Sequence, residues 1–305
     1  MGIPEMEASS IRNVDSQPVA SVRRVVADYV SLTKPKVQSL LLLTTVATML
    51  VAGSPRLSLI ILTCLGGYLS AGGAGAVNHW FDRDIDAKME RTANRPVAAG
   101  RISPRAALCF GLLLAALSFA ELTIFVNLLA AALAFSGFLG YTLMYTVWLK
   151  RSTPQNIVIG GAAGAVPPLV GWAAVTGSLA LPALYLFAIV FYWTPPHFWA
   201  LSLLMKDEYA KVGVPMMPVV RGEEETRRQI VLYTILLVAL TLLPVVGGLF
   251  GFIYLAAAII LDAGFMTLAV ILQRSRTRAS ALRLYLYSLA YLALLFGAMV
   301  ADVKL

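Results

Sequence analysis

The sequence has few cysteines, histidines and charged residues. Of its 305 residues, two are cysteine, two are histidine and 13% are charged, whereas 59% are hydrophobic. Cys64 and Cys109 lie in or beside apolar segments, and we interpret them as small buried hydrophobic residues, not as a disulfide or a metal site. No soluble domain of this length needs so much apolar surface. The sequence therefore predicts an all-α polytopic membrane protein.

The first 28 residues also lack features of targeting segments. They have no unbroken apolar core of a signal peptide, and acidic residues such as Glu5 and Asp15 argue against a transit peptide. Position 6 is Met, so the myristoylation pattern that Met-Gly begins is not completed. We expect residues 1–33 to form a polar cytoplasmic segment, residues 34–305 to form a single membrane domain, and the chain to lie in a bacterial plasma membrane.

Long apolar runs dominate the remainder of the chain. Each is near the ~20 residues that a helix needs to cross a bilayer, so they predict nine transmembrane helices. The runs cover residues 37–53, 57–77, 105–121, 123–146, 156–176, 180–204, 229–247, 249–272 and 282–301.

The net charge of +8 is explained by the placement of the basic residues. If the connections between spans alternate sides, all 24 Lys and Arg residues except Arg56 and Lys304 fall on one side. The positive-inside rule makes that side, with the amino terminus, cytoplasmic and puts the carboxyl terminus outside. No nucleic-acid partner is therefore needed. The outer loops are short, which predicts a cytoplasm-facing site; they are Gly53–Arg56, Glu121–Thr123, Thr176–Leu181 and Gly247–Gly248.

A polar stretch, NHWFDRDIDAKMERTANRP at 78–96, follows the second span. Asn78, Asp82 and Asp86 share one helical face if the helix continues, because they are spaced by four residues. Such oxygen ligands suit Mg2+, which binds one or two carboxylates together with water and phosphate oxygens. Nearby bases, including Arg91 and Arg95, favour a metal-bridged anion site. The alternative, a solvated loop that fixes topology, leaves the Asn/Asp/Asp stripe unexplained.

A second polar group closes the sixth span. His197 lies within the span, and Lys206, Asp207, Glu208 and Lys211 follow at its cytoplasmic end. Ten residues separate His197 from Asp207, or ~15 Å along a helix, so the histidine is expected to lie deeper. A histidine here either hydrogen-bonds a neighbouring helix or has a functional role.

Other basic residues permit two interpretations. Lys34 and Lys36 either anchor the first span at the headgroups or contact phosphate. Lys150 and Arg151, which follow the aromatic residues Tyr141, Tyr145 and Trp148, either belong to an interfacial belt or join a phosphate clamp.

Four motifs in this order resemble the heme-modifying branch of the UbiA superfamily of intramembrane prenyltransferases. They are NxxxDxxxD at Asn78–Asp86, RTxNRP at Arg91–Pro96, PPHFW at Pro195–Trp199 and KDEYxxxGVPMMPV at Lys206–Val219. The last three distinguish this branch from relatives that prenylate benzoate or quinone rings. The resemblance covers nearly the whole chain and implies a UbiA-like bundle of nine helices.

The resemblance also implies a reaction, in which farnesyl diphosphate and heme b give heme O and pyrophosphate. A heme vinyl group becomes a hydroxyethylfarnesyl group, with water supplying the hydroxyl. The implied Mg2+ ligands and catalytic residues are Asn78, Asp82, Asp86 and Asp207. The implied diphosphate-binding residues are Arg91, Arg95, Lys206, Lys211 and Lys150, and His197 is assigned to heme. A downstream heme A synthase is an implied partner, in the biogenesis of heme-copper terminal oxidases.

One position departs from the superfamily pattern, and two other functions remain open. Relatives usually carry a second DxxxD motif, whereas Lys211 stands four residues after Asp207, which leaves the number of metal ions undetermined. A UbiA-type enzyme for 4-hydroxybenzoate or a quinone precursor is the nearest alternative. A heme-binding membrane protein without chemistry, using His79 and His197, is the other; it gives no reason for two acidic clusters.

Overall fold

The computed structural model describes residues 22–305, and every regular element in that range is helical. The elements are α1 (Val22–Leu32), α2 (Pro35–Ala52), α3 (Leu57–Phe81), α4 (Arg83–Asp86), α5 (Pro104–Phe125), α6 (Leu128–Leu139), a π-helix (Gly140–Leu149), α7 (Lys150–Ser152), α8 (Asn156–Thr176), α9 (Leu181–Leu204), α10 (Lys206–Lys211), α11 (Met217–Val220), α12 (Gly222–Val246), α13 (Phe252–Ser275) and α14 (Arg278–Lys304). Of the predicted polar amino-terminal segment, residues 1–21 lie outside the described range.

Eight segments between residues 22 and 305 are long and apolar enough to cross a bilayer. They are α2, α3, α5, the continuous helix 128–152, α8, α12, α13 and α14. The all-α, multi-pass architecture is confirmed. The sixth predicted span corresponds to the 24-residue helix α9, which is not among the eight because Tyr, Trp, Pro and His residues interrupt its apolar run. The count of nine stays a prediction.

Large apolar side chains remain exposed on the outward faces of these helices. Leu113, Ile235 and Ile260 are 56%, 50% and 70% exposed. Such surfaces are stable where lipid chains cover them, and the apolar core lies between the helices. The largest buried cluster joins α2, α8 and α9 to α12, α13 and α14.

Glycines bring neighbouring helices into backbone contact. A Cβ on Gly73 of α3 would lie 2.6 Å from the carbonyl oxygen of Gly111 on α5. A Cβ on Gly171 of α8 would lie 2.5 Å from the carbonyl oxygen of Thr45 on α2. Glycine at these two positions thus allows α3 to pack closely on α5, and α8 on α2.

One predicted connection is wrong. The loop expected at Glu121–Thr123 lies inside α5, which continues to Phe125. The next helix begins only at Leu128, where the Asn127 side chain accepts a hydrogen bond from the Ala130 amide at 2.8 Å. Asn is among the strongest residues for capping a helix start, and this cap sets the boundary.

The surroundings of three further side chains are as follows. Cys109 is exposed on α5 and Cys64 is half-buried, both as free thiols, so the prediction that both are buried is wrong. Asp262 is buried and accepts hydrogen bonds from Thr241 and Tyr291, each at 2.7 Å. It therefore joins α12, α13 and α14.

The bundle has two distinct ends. Lys304, at the end of α14, donates a hydrogen bond to the carbonyl oxygen of Gly53 at 2.7 Å, in the turn that follows α2. Arg56 lies in the same turn. The two basic residues that the charge pattern set apart thus lie at one end, and the start of α2 lies at the other.

Candidate active site

The Asn78, Asp82 and Asp86 stripe forms as expected. α3 ends at Phe81, but the Asp82 amide bonds the Asn78 carbonyl at 2.9 Å and the Asp86 amide bonds the Asp82 carbonyl at 2.8 Å. These bonds continue the helical repeat into α4, so the three side chains share one face. All three are buried, with exposures of 3%, 0% and 3%.

Asp82 is the centre of this cluster. Its Oδ2 accepts hydrogen bonds from Asn78 Nδ2, at 2.7 Å, and from the Lys150 ammonium. Arg151 approaches its Oδ1 at 3.4 Å. A fully buried carboxylate requires such partners, because an unpaired buried charge is costly.

Asp86 is held by Arg95. Both oxygens of Asp86 accept hydrogen bonds from Arg95 Nη1, at 2.7 and 2.8 Å. The chain turns back after α4, where the Thr92 hydroxyl bonds the Asp86 carbonyl at 3.0 Å. The RTxNRP segment thus returns a guanidinium to the acidic stripe.

Lys34 also belongs to the site. It caps α2 with a left-handed backbone (φ 53°, ψ 55°), and its ammonium donates hydrogen bonds to Asn78 Oδ1 at 2.5 Å and to the Tyr141 hydroxyl at 3.3 Å. Burial, together with the positive charge of Arg95, lowers the pKa of Lys34 to about 7. Of the two interpretations left open by the sequence, this geometry favours phosphate contact.

A π-helix carries the fourth span into the site. Within Gly140–Leu149, the Thr146 hydroxyl bonds the carbonyl of Tyr141, five residues back, at 2.9 Å, and it accepts a hydrogen bond from Asn78 Nδ2 at 3.2 Å. π-helical turns inside α-helices are frequent at functional sites. Lys150 follows directly and pairs with Asp82, whereas Trp148 is 66% exposed and suits the interfacial belt.

Arg151 lies at the edge of the cluster. It donates hydrogen bonds to both oxygens of the exposed Asp84, at 2.7 and 2.9 Å, and these bonds lower the pKa of Asp84. Its guanidinium also covers the ring of Phe81, at 4.6 Å from the ring centre. Asp84 thus pairs with the Arg151 guanidinium at the protein surface and is not part of the buried stripe.

The second acidic group does not reach the first in this structure. Asp207 and Lys211 are exposed, and within residues 22–305 neither makes a hydrogen bond or an ion pair. Lys206 pairs with Glu223 at 3.1 Å. Arg91 is exposed, although its charge acts on Lys34 and Tyr209. The predicted roles of Asp207, Lys206, Lys211 and Arg91 stay predictions.

Tyr209 is the α10 residue that faces the first cluster, and sequence reasoning missed it. It is 6% exposed and packs in the same buried cluster as Ile85 and Met89, which flank Asp86. Burial raises the pKa of Tyr209, and the charges of Arg91 and Arg95 oppose that rise. The helical spacing of apolar residues could have identified Tyr209. Met205 and Tyr209 are four residues apart and are buried on one face, whereas Asp207, between them in sequence, is exposed.

His197 lies between α9 and α14. Its Nδ1 shares a 2.6 Å hydrogen bond with the Ser288 hydroxyl, and its ring stacks on Trp193 and Tyr285, with ring centres 4.3 and 5.0 Å away. His79 is buried on α3, and its Nδ1 has no hydrogen-bond partner among the described residues. The two histidines therefore have different surroundings. His197 is held by a hydrogen bond and by ring stacking, whereas His79 has neither contact through Nδ1 nor a stacked ring among the described residues.

The donor chemistry fits Mg2+. Between residues 22 and 305 no three His, Cys, Asp or Glu side chains lie close enough to hold a metal alone. The cluster instead offers two buried carboxylates and one amide oxygen on one helical face. Mg2+ binds in such places by taking its other ligands from water and phosphate oxygens.

A comparison with family models identifies the family. The UbiA prenyltransferase family model matches residues 40–299, which is most of the chain. The chain belongs to the UbiA prenyltransferase family.

Two curated relatives that share one name are similar to this chain over most of its length. The chain is 52% identical over 284 residues to the protoheme IX farnesyltransferase of Symbiobacterium thermophilum, covering 92% of this chain and 95% of that protein. It is 57% identical over 302 residues to the protein of the same name from Chloroflexus aurantiacus, covering 98% of this chain and 51% of that protein. The chain thus spans about half the length of the first curated relatives it matches.

Solved structures share the fold at low identity. A digeranylgeranylglyceryl phosphate synthase in membranes superposes with a TM-score of 0.76 at 19% identity, covering 91% of this chain and 98% of that one. A UbiA homolog from Archaeoglobus fulgidus bound to DMAPP and Mg2+ gives 0.64 at 16% identity, covering 89% and 99%. These likenesses confirm the UbiA-like bundle.

Proposed function

We propose that the chain transfers a farnesyl group from farnesyl diphosphate to a vinyl group of heme b and forms heme O. The observation that carries the proposal is the 52% identity across 95% of the Symbiobacterium thermophilum protoheme IX farnesyltransferase. Residues 34–305 would act as one prenyltransferase domain.

The buried stripe is the diphosphate end of the proposed site. Asn78, Asp82 and Asp86 would hold Mg2+, which supplies positive charge against the departing diphosphate. A UbiA homolog that binds DMAPP and Mg2+ shares this fold, which supports the choice of metal.

Three cations lie directly beside the stripe and are proposed to bind diphosphate oxygens. Lys34, Lys150 and Arg95 each donate a hydrogen bond to a side chain of the stripe. Positive groups fixed in a buried site stabilise charge that develops on a leaving group, because they need no reorganisation. Arg91, Lys206 and Lys211 are proposed as outer diphosphate contacts, on the resemblance alone.

The proposed reaction requires neither an oxidant nor a reductant. The vinyl carbon of heme bonds to C1 of the farnesyl group while the C1–oxygen bond to diphosphate breaks. Water then adds to the cationic carbon next to the porphyrin ring and loses a proton, which leaves the hydroxyl. The apolar interior of the bundle keeps water from the allylic cation before the carbon–carbon bond forms.

His197 is the proposed heme contact. Its Nδ1 is engaged by Ser288, which leaves Nε2 as the ring nitrogen for iron or for orienting heme. The stacked rings of Trp193 and Tyr285 fix the imidazole plane. A His197→Ala variant is expected to lose heme-induced absorbance changes, whereas Ser288→Ala should weaken them.

The end of the bundle that carries the site is proposed to face the cytoplasm of a bacterial plasma membrane. The positive-inside rule supports this orientation, because the basic connections gather at that end. A heme A synthase is the proposed consumer of the product.

The experiment compares acceptors. The purified chain in lipid nanodiscs, with Mg2+ and farnesyl diphosphate, receives either heme b or 4-hydroxybenzoate, and products are identified by mass spectrometry. Heme O formation without prenylated benzoate supports the proposal. Prenylated benzoate alone would assign the chain to the aromatic-acceptor enzymes. Heme retained without prenyl transfer would favour a heme-binding protein.

A further inference from the structure

The helix α1 is amphipathic, and along much of its length its apolar face is not covered by residues 22–305. Val22, Val25, Val26 and Val30 are 80%, 41%, 56% and 49% exposed. They lie along one side of the helix, whereas Asp28 and Ser31 lie on the other and Arg23 lies at the boundary between the two faces. A helix of this pattern lies in the plane of a membrane interface, with its apolar face among the lipid chains.

An apolar groove of about 310 Å3 runs beside this face, between α1, α3 and α5. It is lined by Val25, Val26, Tyr29, Val30, Thr33, Tyr68, Phe110 and Leu114. Two of its three hydroxyls, those of Thr33 and Tyr68, bond each other, with Thr33 Oγ1 and Tyr68 OH 2.9 Å apart. The groove therefore suits an occupant without polar groups along its length, such as an acyl chain.

The helices that form the groove also carry positive charge. Arg23 of α1 and Arg105, in the first turn of α5, are exposed and make no hydrogen bond or ion pair within the described part of the chain. Basic residues at headgroup depth attract anionic phospholipids, by a factor of about five for each residue.

We propose that α1 and this groove bind an anionic phospholipid from the membrane leaflet that lies at the same end of the bundle as the candidate active site. One acyl chain occupies the groove, and Arg23 and Arg105 bind the phosphate. This assigns a lipid ligand to a surface about which the family assignment says nothing.

The lipid site is connected to the candidate active site through two contacts. α1 leads within two residues to Lys34, which bonds Asn78 at 2.5 Å. Asp28 of α1 accepts hydrogen bonds of 3.0 to 3.1 Å from Arg101, whose Nη2 also bonds the carbonyl of Asn94, next to Arg95. A lipid that seats α1 thereby positions Lys34, which makes catalysis lipid-dependent; this last step alone rests on the proposed function.

Photolabelling tests the proposal directly. The full chain is placed in nanodiscs containing phosphatidylglycerol or phosphatidylcholine with a diazirine on the acyl chain, and crosslinked peptides are mapped by mass spectrometry. Labelling of the peptides that contain Val25–Val30 and Phe110–Leu114 is expected to be at least about five-fold stronger with phosphatidylglycerol. Val26→Asp should abolish this preference, and Val26→Ile at the same exposed position should preserve it.

Charge removal gives the second arm. Arg23→Gln with Arg105→Gln should reduce the preference for phosphatidylglycerol to near unity, whereas Arg274→Gln with Arg278→Gln, equally exposed on α13 and α14, should not. Equal labelling by both lipids would reduce the groove to ordinary lipid contact and overturn the proposal. Displacement of the label by farnesyl diphosphate would overturn it too, by assigning the groove to the prenyl chain.

The activity arm separates this proposal from the proposed function. Heme O formation by the native chain is expected to be several-fold faster in phosphatidylglycerol than in phosphatidylcholine, and Val26→Asp should remove the difference. Equal rates in both lipids would overturn the link to Lys34. Absence of heme O in every sample would instead contradict the proposed function, while the labelling result would still decide whether the lipid binds.

Discussion

Lys34 and Asn78, which are 44 residues apart in the chain, are joined by a hydrogen bond of 2.5 Å. The bond links the start of α2 to the end of α3 and places an ammonium beside the buried carboxylates. Because Lys34 also contacts the Tyr141 hydroxyl, three spans converge on this one cation.

Replacing Lys34 with Met is expected to lower kcat/KM for farnesyl diphosphate roughly 10- to 100-fold, since a hydrogen bond to a charged group contributes about 1.5–3 kcal/mol. Lys36→Met is the matched control, because Lys36 is exposed at the same membrane depth. Steady-state kinetics in nanodiscs measure both. Equal effects of the two variants would show that Lys34 is only a membrane anchor.

Asp207 and Tyr209 provide a direct test of the second cluster. The structure exposes Asp207 and buries Tyr209 against the first cluster, so Tyr209→Phe should lower the rate about ten-fold and Asp207→Asn less than about two-fold. The family resemblance makes Asp207 a metal ligand and predicts the reverse order. Rates of heme O formation at saturating Mg2+ distinguish the two; a larger loss for Asp207→Asn would favour the resemblance.

Gly171 sets the spacing of α2 and α8. A methyl group there would meet the Thr45 carbonyl at 2.5 Å, so Gly171→Ala should lower the free energy of unfolding by about 1–3 kcal/mol. Gly164→Ala on the same helix is the control, because nothing lies within 4 Å of its Cβ position. Thermal unfolding in detergent reports both variants. Equal melting temperatures for the Gly171→Ala and Gly164→Ala variants would contradict the prediction, because they would show that α2 and α8 accommodate the added methyl group with little loss of stability.

Metal removal should stop the reaction. Treatment with EDTA is expected to abolish product formation, and added Mg2+ is expected to restore it. The stripe supplies only a few of the ligands that Mg2+ needs, and water and phosphate oxygens supply the others, so a chelator can remove the ion. Asp86→Asn should raise the Mg2+ concentration for half-maximal rate at least about ten-fold. Glu224→Gln, whose exposed carboxylate pairs with Arg276 at 3.8 Å, should leave it unchanged. Full activity in EDTA would exclude a metal-dependent site.

The sequence predicts the membrane architecture and the acidic stripe because both depend on local periodicity. Asn78, Asp82 and Asp86 share a face through helical spacing alone, and α3 and α4 preserve that spacing. The sequence leaves two interpretations of Lys150 because its partner, Asp82, is 68 residues away, and only the packed bundle brings them together.

Other features depend on tertiary structure or on weak local signals. The π-helix at Gly140–Leu149 adds a residue to a turn and moves Thr146 toward Asn78, which an α-helical pattern does not reveal. The polar residue Glu121 suggests a loop, but α5 continues to Phe125 and the cap of the next helix lies at Asn127. Residue type favours Asp207 as a site residue, whereas the structure exposes Asp207 and buries Tyr209, so the role of Asp207 stays a prediction.

The most direct test of the central claim compares Asp82→Asn with Asp84→Asn. Asp82 is fully buried at the centre of the stripe, whereas Asp84 is exposed and pairs with Arg151. Heme O in membranes of cells expressing each chain is measured by mass spectrometry, after confirming equal amounts of folded protein. The account predicts heme O from the native chain and from Asp84→Asn, and a loss of at least about 100-fold for Asp82→Asn. Heme O at native levels from Asp82→Asn would contradict it.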